Sequence, residues 1–509
     1  MKILFRVDAS LIIGCGHVYR CLTLADKLTE FGCQVEFVSS EHPGNLNHII
    51  TAKGYQVHRL PIADVKQEDG SWLGRSWQDD AQLTLDILSQ SEIDWLIVDH
   101  YKLNSRWHEA VKRAKYKLMV IDDLADRNYS CDRLLDQTFE RSAQDYLPYV
   151  KPGTELLLGT EFGLLRDEFA LAGAQALRRR QQHVKINSIL LSLGGTDVDN
   201  ITGKVIALLA ATKLPDLTCL NVIVGPNNPN YSLLEIAAKQ SRFQCKLYSS
   251  VTNMAALIVN SDIAIGAAGS SAWERCVLSQ PSLSITLADN QRTIASKLDE
   301  QGVAISLGEP HELTSKGLDS AIAECEANYQ TMVTKAGRLL DGMGASRVAI
   351  SLFTTFDPQG DEVYLKRASW QDCECLFEWQ QAPETRRYAL VASTPSWQEH
   401  SEWFSNKVVD PNSFLFMIRR NQTDVGMVRL DPLEALNTYQ ISIYTAPGYY
   451  RQGVAKSALE LVRLAFKSIT IIATVLPENL ASKSLFKSMG YVQLDESQWL
   501  QYPSEETNE

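Results

Sequence analysis

The feature that most constrains this chain is a short apolar strand that runs through a glycine turn into a helix near the N-terminus. Lys2-Ile3-Leu4-Phe5-Arg6-Val7 is mostly apolar and has the length of a buried strand. Cys21-Leu22-Thr23-Leu24-Ala25-Asp26-Lys27-Leu28 carries apolar residues at helical spacing. Between them stands Ile13-Gly14-Cys15-Gly16-His17-Val18-Tyr19-Arg20, two glycines and a histidine on one turn. In an open α/β sheet the ligand crevice lies beyond the carboxyl ends of the strands. Gly14 and Gly16 let backbone approach a ligand there, and helix N-terminal N–H groups favour an anion such as a diphosphate. His17 in that place can move a proton near neutral pH.

At 509 residues the chain exceeds one core and is expected to form about three domains. A net charge of −12 without a long basic run argues against nucleic acid or an anionic membrane as the main partner. No leader segment reads at the N-terminus and no apolar run reaches about 18 residues, so a cytoplasmic protein without a membrane span is expected. The cysteines are scattered, with neither a Cys-x-x-Cys pair nor a zinc-like spacing; reduced thiols and no metal are expected.

Strand candidates Lys2–Val7, Gln34–Ser39, Trp95–Asp99 and Lys117–Asp122 alternate with helical stretches, which implies parallel βαβ units. Two of them end in polar clusters, Asp99-His100-Tyr101 and Asp122-Asp123. Those aspartates either line the crevice with His17 or cap the helices that follow. A second α/β series opens at Ile186–Leu193 and turns at Gly194-Gly195-Thr196-Asp197. Further on, a strand gives way to the small-residue loop Gly266–Ser271, which opens a helix carrying Glu274, and Asn290-Gln291 follows the next strand. This ordered set reads as a nucleotide site: Gly195, Thr196, Ser270 and Ser271 at the phosphates, and Glu274 accepting from ribose hydroxyls.

The arrangement resembles two Rossmann-like domains facing a cleft, the GT-B architecture of the MurG-type nucleotide-sugar enzymes. More closely, residues 1 to about 350 resemble the UDP-2,4-diacetamido-2,4,6-trideoxy-β-L-altropyranose hydrolases of pseudaminic acid biosynthesis. The resemblance rests on Phe5-Arg6-Val7-Asp8-Ala9-Ser10, Gly14–Arg20, Asp99-His100-Tyr101, Asp122-Asp123, Gly194–Asp197, Ser270-Ser271 with Glu274, and Asn290-Gln291. It implies cleavage of a UDP-linked amino sugar to free sugar and UDP. His17 would deprotonate the attacking water or manage the proton on the leaving diphosphate. Tyr101 would assist at the sugar, and Asn290 and Gln291 would hold sugar or diphosphate.

Leu352–Glu362 reads as a linker, and a different pattern begins at Val363. Helices are expected at Trp370–Gln381 and Trp397–Val408, then strands at Ser413–Ile418, Val425–Leu430 and Thr438–Tyr444, and a helix from about Val454 to Lys467. The join Ile443–Ala455 is either an ordinary turn or a pyrophosphate site in which Arg451 adds charge. It resembles the acetyl-CoA loop of the GNAT N-acetyltransferases, and Asn479–Tyr491 resembles their final motif. The resemblance implies acetyl-CoA as co-substrate, bound through Ile443, Tyr444, Arg451, Gln452, Gly453, Val454, Ala455, Asn479, Ser482 and Phe486, with the 4-amino group of the UDP-sugar as acceptor. Two positions depart from the family pattern. Tyr450 stands where glutamine or arginine is usual, and Phe486 stands where a tyrosine commonly protonates the thiolate. His400 is either a base or a packing residue. The expected organisation is an N-terminal Rossmann-like domain at 1–165, a UDP-binding one at 166–350, a linker at 351–362 and the acetyltransferase at 363–505. A glycosyltransferase, a UDP-sugar 2-epimerase, a nucleotide-sugar sensor and an acetyl-CoA-binding module without turnover are the competing readings.

Overall fold

The computed structural model describes residues 1–503, except 63–71, 183–184, 195–196, 215–216, 226–227, 250, 270, 411, 436, 468 and the side chain of Asn290. The chain divides into two compact units, residues 1–164 with 344–509, and residues 165–343. The first unit contains a seven-stranded parallel sheet. Its strands are β1 (Lys2–Val7), β2 (Gln34–Ser40), β3 (Gln56–Leu60), β4 (Trp95–Asp99), β5 (Lys117–Ile121), β6 (Arg133–Asp136) and β7 (Glu155–Leu158). They run in the order 3-2-1-4-5-6-7. Order reverses between β1 and β4, and both strands are almost wholly buried because helices cover each face. The helix Gly16–Glu30 follows β1 and buries Val18, Cys21, Leu22, Ala25 and Leu28 against the sheet.

The second unit holds β8 (Ser188–Ser192), β9 (Cys219–Ile223), β10 (Gln244–Tyr248), β11 (Ile263–Ala267), β12 (Ser282–Ile285) and β13 (Ala304–Ser306). These are parallel in the order 10-9-8-11-12-13, again with a reversal, here between β8 and β11. Two Rossmann-like sheets are therefore present, each with its own switch point.

A mixed sheet completes the first unit: β14 (Thr354–Phe356), β15 (Glu362–Arg367), β16 (Phe414–Arg420), β17 (Thr423–Pro432), β18 (Thr438–Thr445), β19 (Thr470–Thr474), β20 (Val492–Gln493) and β21 (Gln498–Gln501). All neighbours are antiparallel except β18 and β19, which are parallel. The stretch 351–362, read above as a linker, contains β14 and closes a hairpin onto β15. Two threonines and a phenylalanine suit an extended pairing, and the Asp357 carboxylate accepts from the Gln359 and Asp361 N–H groups to fix the turn. The helix Gly344–Ser351, placed above at the end of the second domain, is buried throughout within the first unit.

Parallel and mixed sheets of the first unit share one apolar core, in which Phe31 meets Phe353 and Phe466 edge-on. Polar contacts reinforce that junction. Trp95 Nε1 donates to the Leu352 carbonyl at 3.0 Å. The buried Arg133 lies between the rings of Trp95, at 5.3 Å, and Tyr364, at 4.6 Å. Glu155 accepts from the Tyr364 hydroxyl and, at 3.1 Å, from Arg419. Arg347 is 1% exposed and donates to three carbonyls: Glu161 at 2.7 Å, Ala368 at 2.8 Å and Arg367 at 3.3 Å. Removing that guanidinium leaves buried carbonyls without a charged donor, so Arg347→Met is expected to destabilise the first unit by about 3 kcal/mol. Denaturant melts followed by circular dichroism check this; an unchanged midpoint would show that the arginine ties nothing together.

Candidate functional site

At the carboxyl ends of β1 and β4, where the first sheet reverses order, the chain assembles a compact charged site. The turn before it is rigid: Ser10 Oγ accepts from the Ile12 and Ile13 N–H groups, and Gly14 N donates to the Ser10 carbonyl at 2.9 Å. Gly14 takes φ +82°, which a side chain would resist. Gly16 begins the helix, whose first turn has neither a capping side chain nor an acidic residue, so its free N–H groups can receive an anion.

His17, 8% exposed, projects from that first turn to the end of β4. Its Nδ1 lies 2.6 Å from Asp99 Oδ1. Arg20, one helical turn on, grips the same carboxylate with Nε and Nη2, both at 2.6 Å. Burial opposes ionisation of Asp99, but the guanidinium and the imidazole outweigh it and hold the carboxyl below the usual carboxylate range. An ionised carboxylate only accepts, so Nδ1 carries the hydrogen, and any free lone pair of the ring is on Nε2. Tyr101 stands edge-on to His17, centroids 4.6 Å apart, and donates its hydroxyl to Asp123, which also takes Arg20 Nη1 at 3.1 Å. Burial and then the Asp123 charge push the phenol well above its usual range, so it stays protonated.

The two aspartates after β5 have parted roles. Asp123 joins His17's cluster. Asp122 accepts from the Leu124 and Ala125 N–H groups and from the Tyr129 and Tyr146 hydroxyls, and so orders its own loop rather than a helix. Beneath the site runs a buried ion cluster absent from the sequence reading: Arg6 bonds Asp8 and Asp80, and Asp8 also accepts from the Ser40 N–H at 2.7 Å. His100 points into that cluster, its Nε2 3.4 Å from Asp8. Trp72 was also unforeseen; its ring lies 6.3 Å from His17 and 5.5 Å from Tyr101.

In the second sheet, Gly195, Thr196 and Ser270 lie outside the described residues. Asp197 accepts from the Ile201 and Thr202 N–H groups and Asn200 from Gly203, so these side chains occupy the start of the helix Ile201–Ala210. At the end of β11, Ser271 opens the helix that carries Glu274. Arg275, another residue the sequence reading passed over, donates to Ser271 Oγ, to the Ala267 carbonyl and to Ser282 Oγ, fixing the loop. A Cβ on Gly266 would lie 2.6 Å from that guanidinium, which explains a glycine there. Gln291 accepts from Leu287 N at 3.1 Å and brings its amide beside Gly269, where an added Cβ would lie 3.7 Å from Nε2. Asn290 belongs to the same short turn, Asp289–Gln291. Burial pushes the Glu274 carboxyl up to about 6, against the pull of Arg166 and Arg275.

In the mixed sheet, β18 and β19 pair from Thr438/Thr470 to Ile441/Ala473, and β18 then runs on to Thr445 without β19, still paired with β17. Ile443 and Tyr444 therefore lie past the point where the strands part. Gly448, Arg451 and Gly453 all take positive φ in the loop that follows, and the helix Val454–Ala465 starts with no side-chain cap and no acid in its first turn. The N–H groups around Val454 and Ala455 suit a diphosphate. Arg420 holds Gln452 Oε1 at 2.7 Å, and Gln452 Nε2 donates to the Gly448 carbonyl at 2.8 Å. Tyr450 is exposed, its hydroxyl 3.4 Å from Thr385. Asn479 caps its helix by accepting from Ser482 N at 3.1 Å. Phe486 is buried against Tyr491. His400 is a packing residue: it is buried among Phe377, Trp397, Trp403 and Phe404, and its Nε2 donates to the Cys373 carbonyl at 3.0 Å.

The chain is α/β, with a fold like that of the MurG-type proteins followed by a region similar to the GNAT acetyltransferases. Residues 362–492 match the acetyltransferase (GNAT) domain family. The chain is 26% identical over 306 residues to the UDP-2,4-diacetamido-2,4,6-trideoxy-beta-L-altropyranose hydrolase of Campylobacter jejuni, covering 60% of this chain and 98% of that protein. It is 21% identical to the uncharacterized protein MJ1062 of Methanocaldococcus jannaschii over 98% of this chain and 99% of that one. Among solved structures, Acinetobacter baumannii MurG superposes with a TM-score of 0.51 at 14% identity, covering 68% of this chain and 97% of that one, a likeness of fold. Among the described residues, no helix is long and apolar enough to cross a membrane.

Gly453 gives the third site its sharpest constraint. It takes φ +87°, and an added Cβ would meet Pro358 Cδ at 2.4 Å. Gly453→Ala must strain the backbone or push the Asp357–Asp361 turn away, so a loss of about 1–3 kcal/mol and at least about tenfold weaker CoA binding are expected. Calorimetric titration with CoA tests it, and unchanged affinity would move the diphosphate site elsewhere.

Proposed function

We propose that this chain is a bifunctional nucleotide-sugar enzyme that N-acetylates the 4-amino group of a UDP-linked 4-amino-4,6-dideoxy sugar and hydrolyses the resulting UDP-2,4-diacetamido-2,4,6-trideoxy-β-L-altropyranose to free sugar and UDP. The observation that carries the reading is the His17–Asp99 pair, at 2.6 Å, beside an uncapped helix N-terminus at the switch point of the first sheet. The similarity to the Campylobacter jejuni hydrolase over 306 residues and the GNAT match at 362–492 support it.

In this mechanism Asp99 fixes the ring so that Nε2 faces the water. Water oxygen attacks the anomeric carbon, its proton passes to Nε2, and the bond from that carbon to the diphosphate oxygen breaks. Asp99 stabilises the imidazolium that forms, and Arg20 keeps Asp99 ionised throughout. A diphosphate leaves without strong acid catalysis, so the paired carboxylic acids of ordinary glycosidases are dispensable. Gly14 and Gly16 offer backbone N–H groups to a phosphate beside His17, and in the second unit, taken by itself, Ser271, Glu274 and Gln291 suit a nucleotide, with Glu274 accepting from ribose hydroxyls. In the acetyltransferase domain, the loop Arg451–Ala455 holds the diphosphate of acetyl-CoA, and Ile443 and Tyr444 border its pantetheine at the parted strands. Acetyl-CoA supplies the acyl group when bound. Phe486 donates no proton, so water or another group protonates the departing thiolate.

Two outcomes test the reading. Given UDP-4-amino-4,6-dideoxy-β-L-AltNAc, the protein should yield free diacetamido sugar and UDP by NMR only when acetyl-CoA is present. His17→Ala should still acetylate but cleave about 10²–10⁴-fold more slowly; undiminished cleavage would remove His17 from the mechanism. Glu274 adds a pH dependence with a defined sign. Ribose hydroxyls donate to its ionised form, so binding favours deprotonation, and UDP affinity should be full above about pH 6 and fall as the carboxyl protonates below it. Titration calorimetry at pH 7 and pH 5 should show the loss, and Glu274→Gln should flatten it.

A further inference from the structure

We infer that Trp72 is a specificity-determining residue, whose indole forms with Tyr101 an apolar wall beside His17 that receives the methyl groups of an N-acylated, deoxygenated sugar. The inference rests on the hydrolase reading for the class of substrate, but its geometry stands alone. Three rings meet at the site: His17 to Tyr101 at 4.6 Å, Trp72 to Tyr101 at 5.5 Å and Trp72 to His17 at 6.3 Å, the last edge-on at 76°.

The backbone that follows Trp72 is firmly held. Leu73 is buried in the core with Leu103 and Trp107. Gly74, at φ +69°, leaves room for the His42 ring, which a Cβ would meet at 2.7 Å. Arg75 is buried and donates to Ser40 Oγ at 3.2 Å, and Ser76 caps the helix Trp77–Leu88. The indole itself stays half-buried, with its ring contacts to His17 and Tyr101. A rigidly placed tryptophan that stops short of the core leaves apolar surface for something else to cover.

The polar groups around that surface are already committed. The Tyr101 hydroxyl goes to Asp123, His17 Nδ1 goes to Asp99, and Arg127 lies 5.7 Å over the Tyr101 ring. Among the described residues, that leaves carbon surface with two nitrogens, His17 Nε2, reserved for the water, and the indole Nε1 of Trp72. A hydroxyl pressed against the ring faces would lose its hydration and gain no partner there, whereas a methyl gains burial and ring contact. Selection of deoxy and acetamido groups over hydroxyl and hydroxymethyl groups follows from that asymmetry.

The test compares full-length wild type, Trp72→Ala and Trp72→Phe on UDP-2,4-diacetamido-2,4,6-trideoxy-β-L-altropyranose and on UDP-N-acetylglucosamine, with UDP affinity measured in parallel. For Trp72→Ala, kcat/KM on the diacetamido sugar should fall about tenfold, chiefly through KM, and the preference over UDP-N-acetylglucosamine should shrink by a similar factor. Trp72→Phe should keep the preference within about threefold, and UDP affinity should be unchanged in both. An unaltered preference in Trp72→Ala, or an equal loss of UDP affinity, would overturn the assignment. If wild type cleaves neither substrate, the hydrolase reading fails, and saturation-transfer NMR with the free diacetamido sugar then decides. Methyl saturation lost in Trp72→Ala upholds the wall, and equal saturation in both proteins overturns it.

Discussion

Asp99 is a buried carboxylate at the end of a parallel strand, and a charge so placed costs several kcal/mol unless it is fully paired. Arg20 and His17 pair it, and both come from the first turns of one helix. The pairing fixes the helix against the neighbouring strand and sets which imidazole nitrogen carries hydrogen. Arg20 also reaches Asp123, which orders Tyr101, and Tyr101 in turn meets Trp72. Remove the carboxylate and each of these placements loses its reason.

The first unit shows how a parallel and a mixed sheet can share one body. Its parallel and mixed sheets are joined through apolar contacts around Phe31, Phe353 and Phe466, and through buried arginines that donate to backbone carbonyls. The Asp357–Asp361 turn extends this junction to the third site, because Pro358 abuts Gly453 and Arg420 holds both Asp361 and Gln452. The loop proposed to hold CoA is thereby shaped by a segment that reads in sequence as a spacer.

Much of the architecture was legible because buried parallel strands leave near-continuous apolar runs, as at Lys2–Val7, Trp95–Asp99 and Lys117–Ile121. Edge strands were less so. Gln56–Leu60, Gln244–Tyr248 and Ala304–Ser306 are short and partly exposed, and their polar residues mask the pattern. The hairpin at 354–367 was hidden for another reason: Pro358 and Gly360 signal a turn, but nothing local says which strand the preceding residues will join.

The sequence alone determined the strand–turn–helix units, the glycines at their joins and the histidine on the first of them, because these follow from local periodicity and backbone conformation. Tertiary structure decided what each polar residue does. Asp99 became His17's partner while Asp122, with the same strand-end signature, became a loop anchor. His400 became a packing residue, and Trp72, in a segment without periodicity, came to stand beside His17. A side chain's role depends on which groups share its low-dielectric surroundings, and those groups come from strands far apart in the chain, brought together only when the sheets close.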